Sequence, residues 1–133
     1  LSSTPAFPVT PRLGRAILSA ATTDRTGATT PNIKDILTGA ATGTRLDELV
    51  VQADGDPADC TILWFIHNGT DYRLFDDWDI GDAAAASTTV SGYRERRTYA
   101  NLWLPSASFK IAAAITVAPT SGNVNAWVLG ADF

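Results

Sequence analysis

The dipeptide Asn68-Gly69 stands between two runs of strand-forming residues, 60–67 and 70–75, and constrains this chain more than any other feature. In a two-residue type I′ turn both central residues take positive φ, which Asn and Gly tolerate and most residues do not. Such a turn fixes the register of a hairpin. It sets His67 opposite Thr70, Ile66 opposite Asp71, Phe65 opposite Tyr72, Trp64 opposite Arg73 and Leu63 opposite Leu74. Strand side chains alternate between faces, so this register sorts them. Leu63, Phe65, Tyr72 and Leu74 share a face that reads as core. Ile62, Trp64, Ile66, Asp71, Arg73 and Phe75 share the other, where large apolar groups mix with charges. An Arg73 guanidinium on the Trp64 indole is the expected cation–π pair there. Ile62, Trp64 and Phe75 on that face call for a cover: a loop, the N-terminal arm or another subunit.

Turn signals recur about every ten residues along the rest of the chain. Between them lie strand candidates at 13–20, 45–53, 99–104, 109–117 and 124–129. A further one, 33–38, also fits one helical turn, because Ile33, Ile36 and Leu37 match a 3.6 period. The clearest alternation runs through Phe109, Ile111, Ala113 and Ile115, which adds Phe109, Ile111 and Ile115 to the candidate core. Residues 76–82 read as a strand end entering a loop, and 87–98 alternate only loosely. Glu and Lys together number four and Met is absent, so the residues that usually furnish exposed helical faces are scarce. Asp, Thr, Gly and Pro fill the loops instead, which suits strands joined by turns. The expected fold is all-β: an antiparallel β-sandwich, jelly-roll-like, of about eight short strands. It occupies residues 12–133 as a single domain. Residues 1–11 form an extended arm, in which Pro5, Pro8 and Pro11 block helix and Phe7 and Val9 have no periodic partners. That arm has no basic stretch and does not read as a signal peptide.

Net charge is −4, and the only basic cluster, Arg94-Glu95-Arg96-Arg97, is too short to make an electrostatic footprint for nucleic acid. No apolar stretch reaches the ~18 residues that a membrane-spanning helix needs. Cys60 is the only cysteine, which excludes an intramolecular disulfide and reads as a buried, inert thiol. The single histidine, His67, flanks the turn with no nucleophile or orienting acid beside it. Residues 39–43 have the glycines but not the Lys and Ser/Thr of a phosphate loop. Asp54, Asp56 and Asp59 share a spacing with Asp77, Asp79 and Asp82. Both sets read first as turn formers and second as calcium ligands, and neither matches an EF-hand loop. Asn68-Gly69-Thr70 is formally a glycosylation sequon, which the hairpin turn explains without sugar. Trp64, Trp78, Trp103 and Trp127 suit core packing or a protein interface, with stacking on sugars as the alternative. No catalytic residue, cofactor or metal site is assigned.

Three stretches together resemble a known family. They are Thr10-Pro11-Arg12-Leu13-Gly14, the hairpin from Phe65-Ile66-His67-Asn68-Gly69 through Thr70-Asp71-Tyr72-Arg73-Leu74-Phe75-Asp76, and the closing Gly130-Ala131-Asp132-Phe133. The combination is similar to small virion proteins of tailed phages, the capsid decoration or cement proteins, from about residue 10 to the last. The resemblance implies a β-rich domain without catalysis, localised to the outer capsid surface of the virion. It implies a homotrimer that bridges subunits of the major capsid protein, with no nucleic acid or membrane partner. The candidate interface residues are Phe7, Val9, Arg12, Arg15, Ile62, Trp64, Arg73 and Phe75, the arginines pairing with carboxylates of a neighbour. Arg94, Arg96 and Arg97 could pair likewise, though a solvated charge run is the plainer reading. The alternative from another class is a carbohydrate- or receptor-binding module of a phage tail or fibre, which predicts exposed aromatic rings in a groove.

Overall fold

Nine strands and no helix make up residues 7–133, which this computed structural model describes. They are β1 Thr10–Leu18, β2 Lys34–Thr38, β3 Thr44–Ala53, β4 Thr61–His67, β5 Tyr72–Asp79, β6 Arg94–Thr98, β7 Trp103–Leu104, β8 Lys110–Ile115 and β9 Val124–Asp132. One sheet has the order β1-β9-β3-β6, with β7 also pairing to β3, and the other has the order β2-β8-β4-β5. Every pairing between these strands is antiparallel. Setting the two-residue β7 aside, the first strand pairs with the last, the second with the last but one, and so inward to the β4–β5 hairpin. A two-stranded ribbon wound in this way into a sandwich is a jelly roll. The segment 33–38 resolves as strand β2, not as a helical turn. The arm expected over 1–11 ends sooner than read, because Thr10 and Pro11 pair with Asp132 and Ala131. Pro11 is accommodated because β1 is an edge strand, where a missing N–H costs no ladder bond. Residues 1–6 of that arm lie outside the described residues.

Gly14 shows how closely the two sheets approach where β1 passes β2. A Cβ there would stand 2.3 Å from the Ile36 carbonyl oxygen, which is backbone and cannot swing aside. Gly14→Ala is expected to cost about 1–3 kcal/mol as overpacking, read as a lower denaturation midpoint in urea.

The hairpin departs from its expected register. The loop is four residues long, 68–71, and only Gly69 has positive φ. The Asn68 side-chain oxygen accepts the N–H groups of Thr70 and Asp71 at 3.0 and 2.9 Å, so its amide, not a type I′ backbone, closes the turn. His67 therefore pairs with Tyr72, Ile66 with Arg73 and Phe65 with Leu74. A bulge then makes Phe75 an extra residue, and the pairing resumes as Trp64 with Asp76 and Ile62 with Trp78. Through it Leu74 stays on the outer side, while Phe75 and Trp78 both face inward.

Leu63 and Phe65 are fully buried as read, but the face read as outer carries the larger core. Ile62 and Trp64 are fully buried between the sheets with Trp78, Leu49, Val51, Ile111 and Ile115, and Phe75 packs against them. Of these three candidate interface residues, Ile62 and Trp64 have no free surface to offer a partner, and Phe75 is only partly exposed. Trp64 packs against Trp78 at 5.0 Å between ring centroids, so the expected pair with Arg73 does not form. Arg73 instead reaches Asp71 at 3.4 Å on the surface. Leu63 and Phe65 form a second, smaller core on the outer side of their sheet, with Ile33, Ala112 and Ala114, and with Tyr72 and Leu74 at its margin. Residues 19–33 supply its cover. Ala21 bridges to Ile115, Arg25 pairs with Asp77, and Gly27 lies so close to Tyr72 that a Cβ would meet its carbonyl oxygen at 2.5 Å. Asp24 ties this segment by accepting the N–H groups of Thr26 and Thr29.

A polar clip joins the open sides of the two sheets at β5 and β6. Asp76 accepts hydrogen bonds from the Tyr99 hydroxyl and, at 3.0 Å, from the Trp78 indole. Arg97 lies over the Trp78 ring at 4.7 Å and is held by Glu95, which also accepts the Tyr93 hydroxyl at 2.6 Å. Burial pushes Asp76 upward, but the bonds from Tyr99 and Trp78 and the Arg97 charge outweigh it and hold the carboxyl below its ordinary value. Glu95 is lowered chiefly by the Tyr93 hydroxyl. A carboxyl depressed by folding stabilises fully above its unfolded pKa of about 4, and loses that contribution as pH falls through its folded value. Stability should thus decline from about pH 5 toward pH 2, and Asp76→Asn should make that decline shallower in a pH series of thermal melts.

Candidate partner-binding face

The strand alternation that sends Leu18, Leu49, Val51, Ala126 and Val128 into the core turns their neighbours outward on the β1-β9-β3-β6 sheet. The register places those neighbours in rows. Leu13, Leu129, Glu48 and Thr98 make one; Arg15, Trp127, Val50 and Arg96 the next; Ile17, Asn125, Gln52 and Arg94 the third. The centre of this face is apolar. Leu13 is 61% exposed, Ile17 41%, and Val50 is shielded beside Trp127 and Arg96 although it belongs to neither core. A shallow depression of about 270 Å³ opens between Leu13, Val50, Trp127, Leu129, Arg94 and Arg96. The rim is basic: Arg15 lies over the Trp127 ring at 5.4 Å, and Arg96 reaches Glu48 at 3.1 Å with most of its side chain in solvent. The opposite sheet covers its outer face with residues 19–33, whereas no segment among the described residues crosses this one.

The candidate interface residues thus separate. Arg15 is on this face. Arg12 is engaged within the chain, its Nη1 donating to both Asp132 carboxylate oxygens at 2.9 and 3.0 Å and its Nη2 to the Thr38 carbonyl at 3.0 Å. The Thr44 hydroxyl keeps the Asp132 carboxyl below its usual value against the opposing effect of burial, helped by Arg12. Phe7 and Val9 are 73% and 75% exposed, and Val9 donates its N–H to the Asp132 carbonyl. Ile62, Trp64 and Phe75 point into the core, and Arg73 stands apart on the hairpin. The basic cluster divides by strand alternation: Arg94 and Arg96 rim the open face, and Arg97 belongs to the clip. Leu13, Val50 and Leu129 were not among the candidate interface residues, and Trp127 was read only together with the other three tryptophans, as core or protein interface. Their signal was the alternation across Leu13, Arg15 and Ile17 and across Asn125, Trp127 and Leu129, which becomes legible once those two strands are known to be neighbours.

No family model and no curated protein matches this chain. Among solved structures it is similar to a chain of the cyanophage Pam1 capsid asymmetric unit, at a TM-score of 0.44 and 14% identity, covering 100% of this chain and 92% of that one. It is also similar to a chain of an IBDV viral particle, at 0.36 and 9% identity, covering 99% and 35%. For the Gt strain of infectious bursal disease virus the values are 0.36 and 10%, covering 98% and 35%. Likenesses this distant do not tell what this chain binds.

The remaining candidates for chemistry are occupied by local structure. The His67 Nδ1 accepts the Gly69 N–H at 3.1 Å and its ring packs edge-on to Tyr72. Asp54, Asp56 and Asp79 accept the backbone N–H groups of Asn123, Ala58 and Gly81 in their turns, and Asp77 pairs with Arg25. Among the described residues no three His, Cys, Asp or Glu side chains converge on one point. Cys60 is buried, and burial, with Asp59 and Asp79 nearby, pushes its thiol up to about 11, which keeps it protonated and unreactive.

Proposed function

We propose that this chain is a non-enzymatic virion structural protein, a decoration protein that binds the outer surface of a phage head as a homotrimer and contacts the major capsid protein. The observation that carries the reading is the uncovered face of the β1-β9-β3-β6 sheet, an apolar strip around Trp127 rimmed by Arg15, Arg94 and Arg96. An apolar centre with aromatic and arginine residues is the composition of a protein contact, and arginine pairs readily with acidic groups on a neighbour. The resemblance of the Thr10–Gly14 stretch, the hairpin and the closing residues to decoration proteins supplies the identity of the partner. The jelly roll supports it by analogy only, since lectin domains share that architecture. Cyclic symmetry would let the open face and the exposed Phe7 and Val9 serve both the shell and the neighbouring copies, and three modest contacts in one trimer act together.

Image reconstruction of the intact particle tests this, together with the mass of the free protein. The expected result is density of this fold on the head exterior, and a mass three times the 14.1 kDa of the chain. Density confined to the tail would favour the carbohydrate- or receptor-binding alternative, and absence from purified particles would end the virion reading.

A further inference from the structure

We propose that the depression between Arg45, Asn101, Trp103 and Phe133 is a saccharide-binding subsite. It does not depend on where in a particle the chain sits. A sugar ring offers one apolar face of C–H bonds and a rim of hydroxyls, so a site for it needs an exposed aromatic plane with donors and acceptors at its edge. Trp103 supplies the plane. It is 55% exposed, whereas Trp64 and Trp78 are fully buried and Trp127 lies beneath Arg15. Phe133 stands edge-on to it, at 6.0 Å and 66° between the rings, and so forms a wall and not a stacked lid. The main chain that carries this ring is held, since the Phe133 N–H donates to the Gly43 carbonyl at 3.0 Å and its own carbonyl accepts the Thr42 hydroxyl at 2.6 Å.

The polar edge is equally well placed. Arg45 is the register partner of Trp103, so the two stand side by side across β3 and β7. Asp47 orients the guanidinium through bonds of 2.6 and 3.4 Å, and both side chains are 47% exposed, leaving donors and acceptors for hydroxyls. Asn101 is exposed and takes a left-handed φ of 62°, a conformation Asn adopts more readily than most residues. The cavity measures about 400 Å³, within the range of small-ligand pockets, and mixes aromatic surface with a few polar groups. It lies five residues along β3 from Val50, roughly 17 Å from the centre of the apolar strip, and differs from that strip in offering a more exposed indole with no guanidinium lying over it.

The test is a glycan array probed with the full chain. Glycans that bind are then followed by titration of tryptophan fluorescence, beside free glucose, galactose, mannose and N-acetylglucosamine. Trp103→Ala is expected to weaken binding about tenfold or more, and Trp103→Phe less, with far-UV dichroism and melting unchanged. Arg45→Ala and Asn101→Ala should each weaken binding while leaving the indole in place. Trp127→Ala should leave glycan binding intact, which separates this site from the open sheet face. No glycan bound, or binding that survives Trp103→Ala, would overturn the proposal. So would a Trp103→Ala protein that loses particle association without any glycan effect, because the ring would then be a protein contact.

Discussion

Trp64→Ala is expected to destabilise the fold by about 3–5 kcal/mol, which is a large share of the roughly 5–15 kcal/mol that holds a domain of this kind together. The side chain has no solvent exposure and sits between the sheets against Trp78. Removing it leaves a cavity lined by two sheets that are held in register by their own ladders, and such walls relax only partly. The indole N–H finds no acceptor among the described residues, so Trp64→Phe should cost far less than the lost volume implies, because it also removes an orphan donor. Urea denaturation followed by far-UV dichroism measures both. A loss below about 1 kcal/mol for Trp64→Ala would show that the residue is not in the core. Any loss of particle binding by that variant reports unfolding and not a contact.

Leu13→Asp combined with Trp127→Ala is expected to weaken particle association by about a hundredfold, with little change in stability. Leu13 is exposed in the monomer, so a carboxylate there costs almost nothing until a partner covers it and strips its water. Trp127 sits at the middle of the strip, the position from which truncation costs most at interfaces. Co-sedimentation of the purified double variant with particles lacking the protein is the direct measurement. Undiminished binding would exclude the open face of this sheet as the contact, whatever happens to the oligomer. A trimer that dissociates while single chains still bind would assign the face to self-association alone.

The hairpin shows both what could be read and what could not. Two apolar runs around Asn68-Gly69 did specify an antiparallel pair, and the observed β4 and β5 are that pair. The turn type did not follow, because the Asn68 amide offers the chain a four-residue closure that the dipeptide signal does not distinguish from a two-residue one. The faces did not follow either. Residues 62–65 are apolar without interruption, and such a run marks a strand buried on both sides without saying which side carries the larger core. The Phe75 bulge then reversed the alternation of β5, bringing Trp78 inward from a stretch that reads as loop. A bulge depends on the fit to the partner strand and leaves no mark of its own in the sequence.

By itself the sequence determined the class of the protein and most of its strands. Turn residues limit strand length, helix formers are scarce, and alternation such as Phe109 to Ile115 is a local property that needs no knowledge of neighbours. Only the tertiary structure decided which surfaces remain free. Residues 19–33 cover one sheet and no described segment covers the other, so Trp64, read as a contact, is core, while Leu13, absent from the candidate interface, and Trp127, read only as one of four tryptophans, face outward together. The physical reason is that exposure belongs to pairs of elements. An apolar side chain is buried or free according to what packs over it, and the strands that unite this face, β1, β9 and β3, lie far apart along the chain.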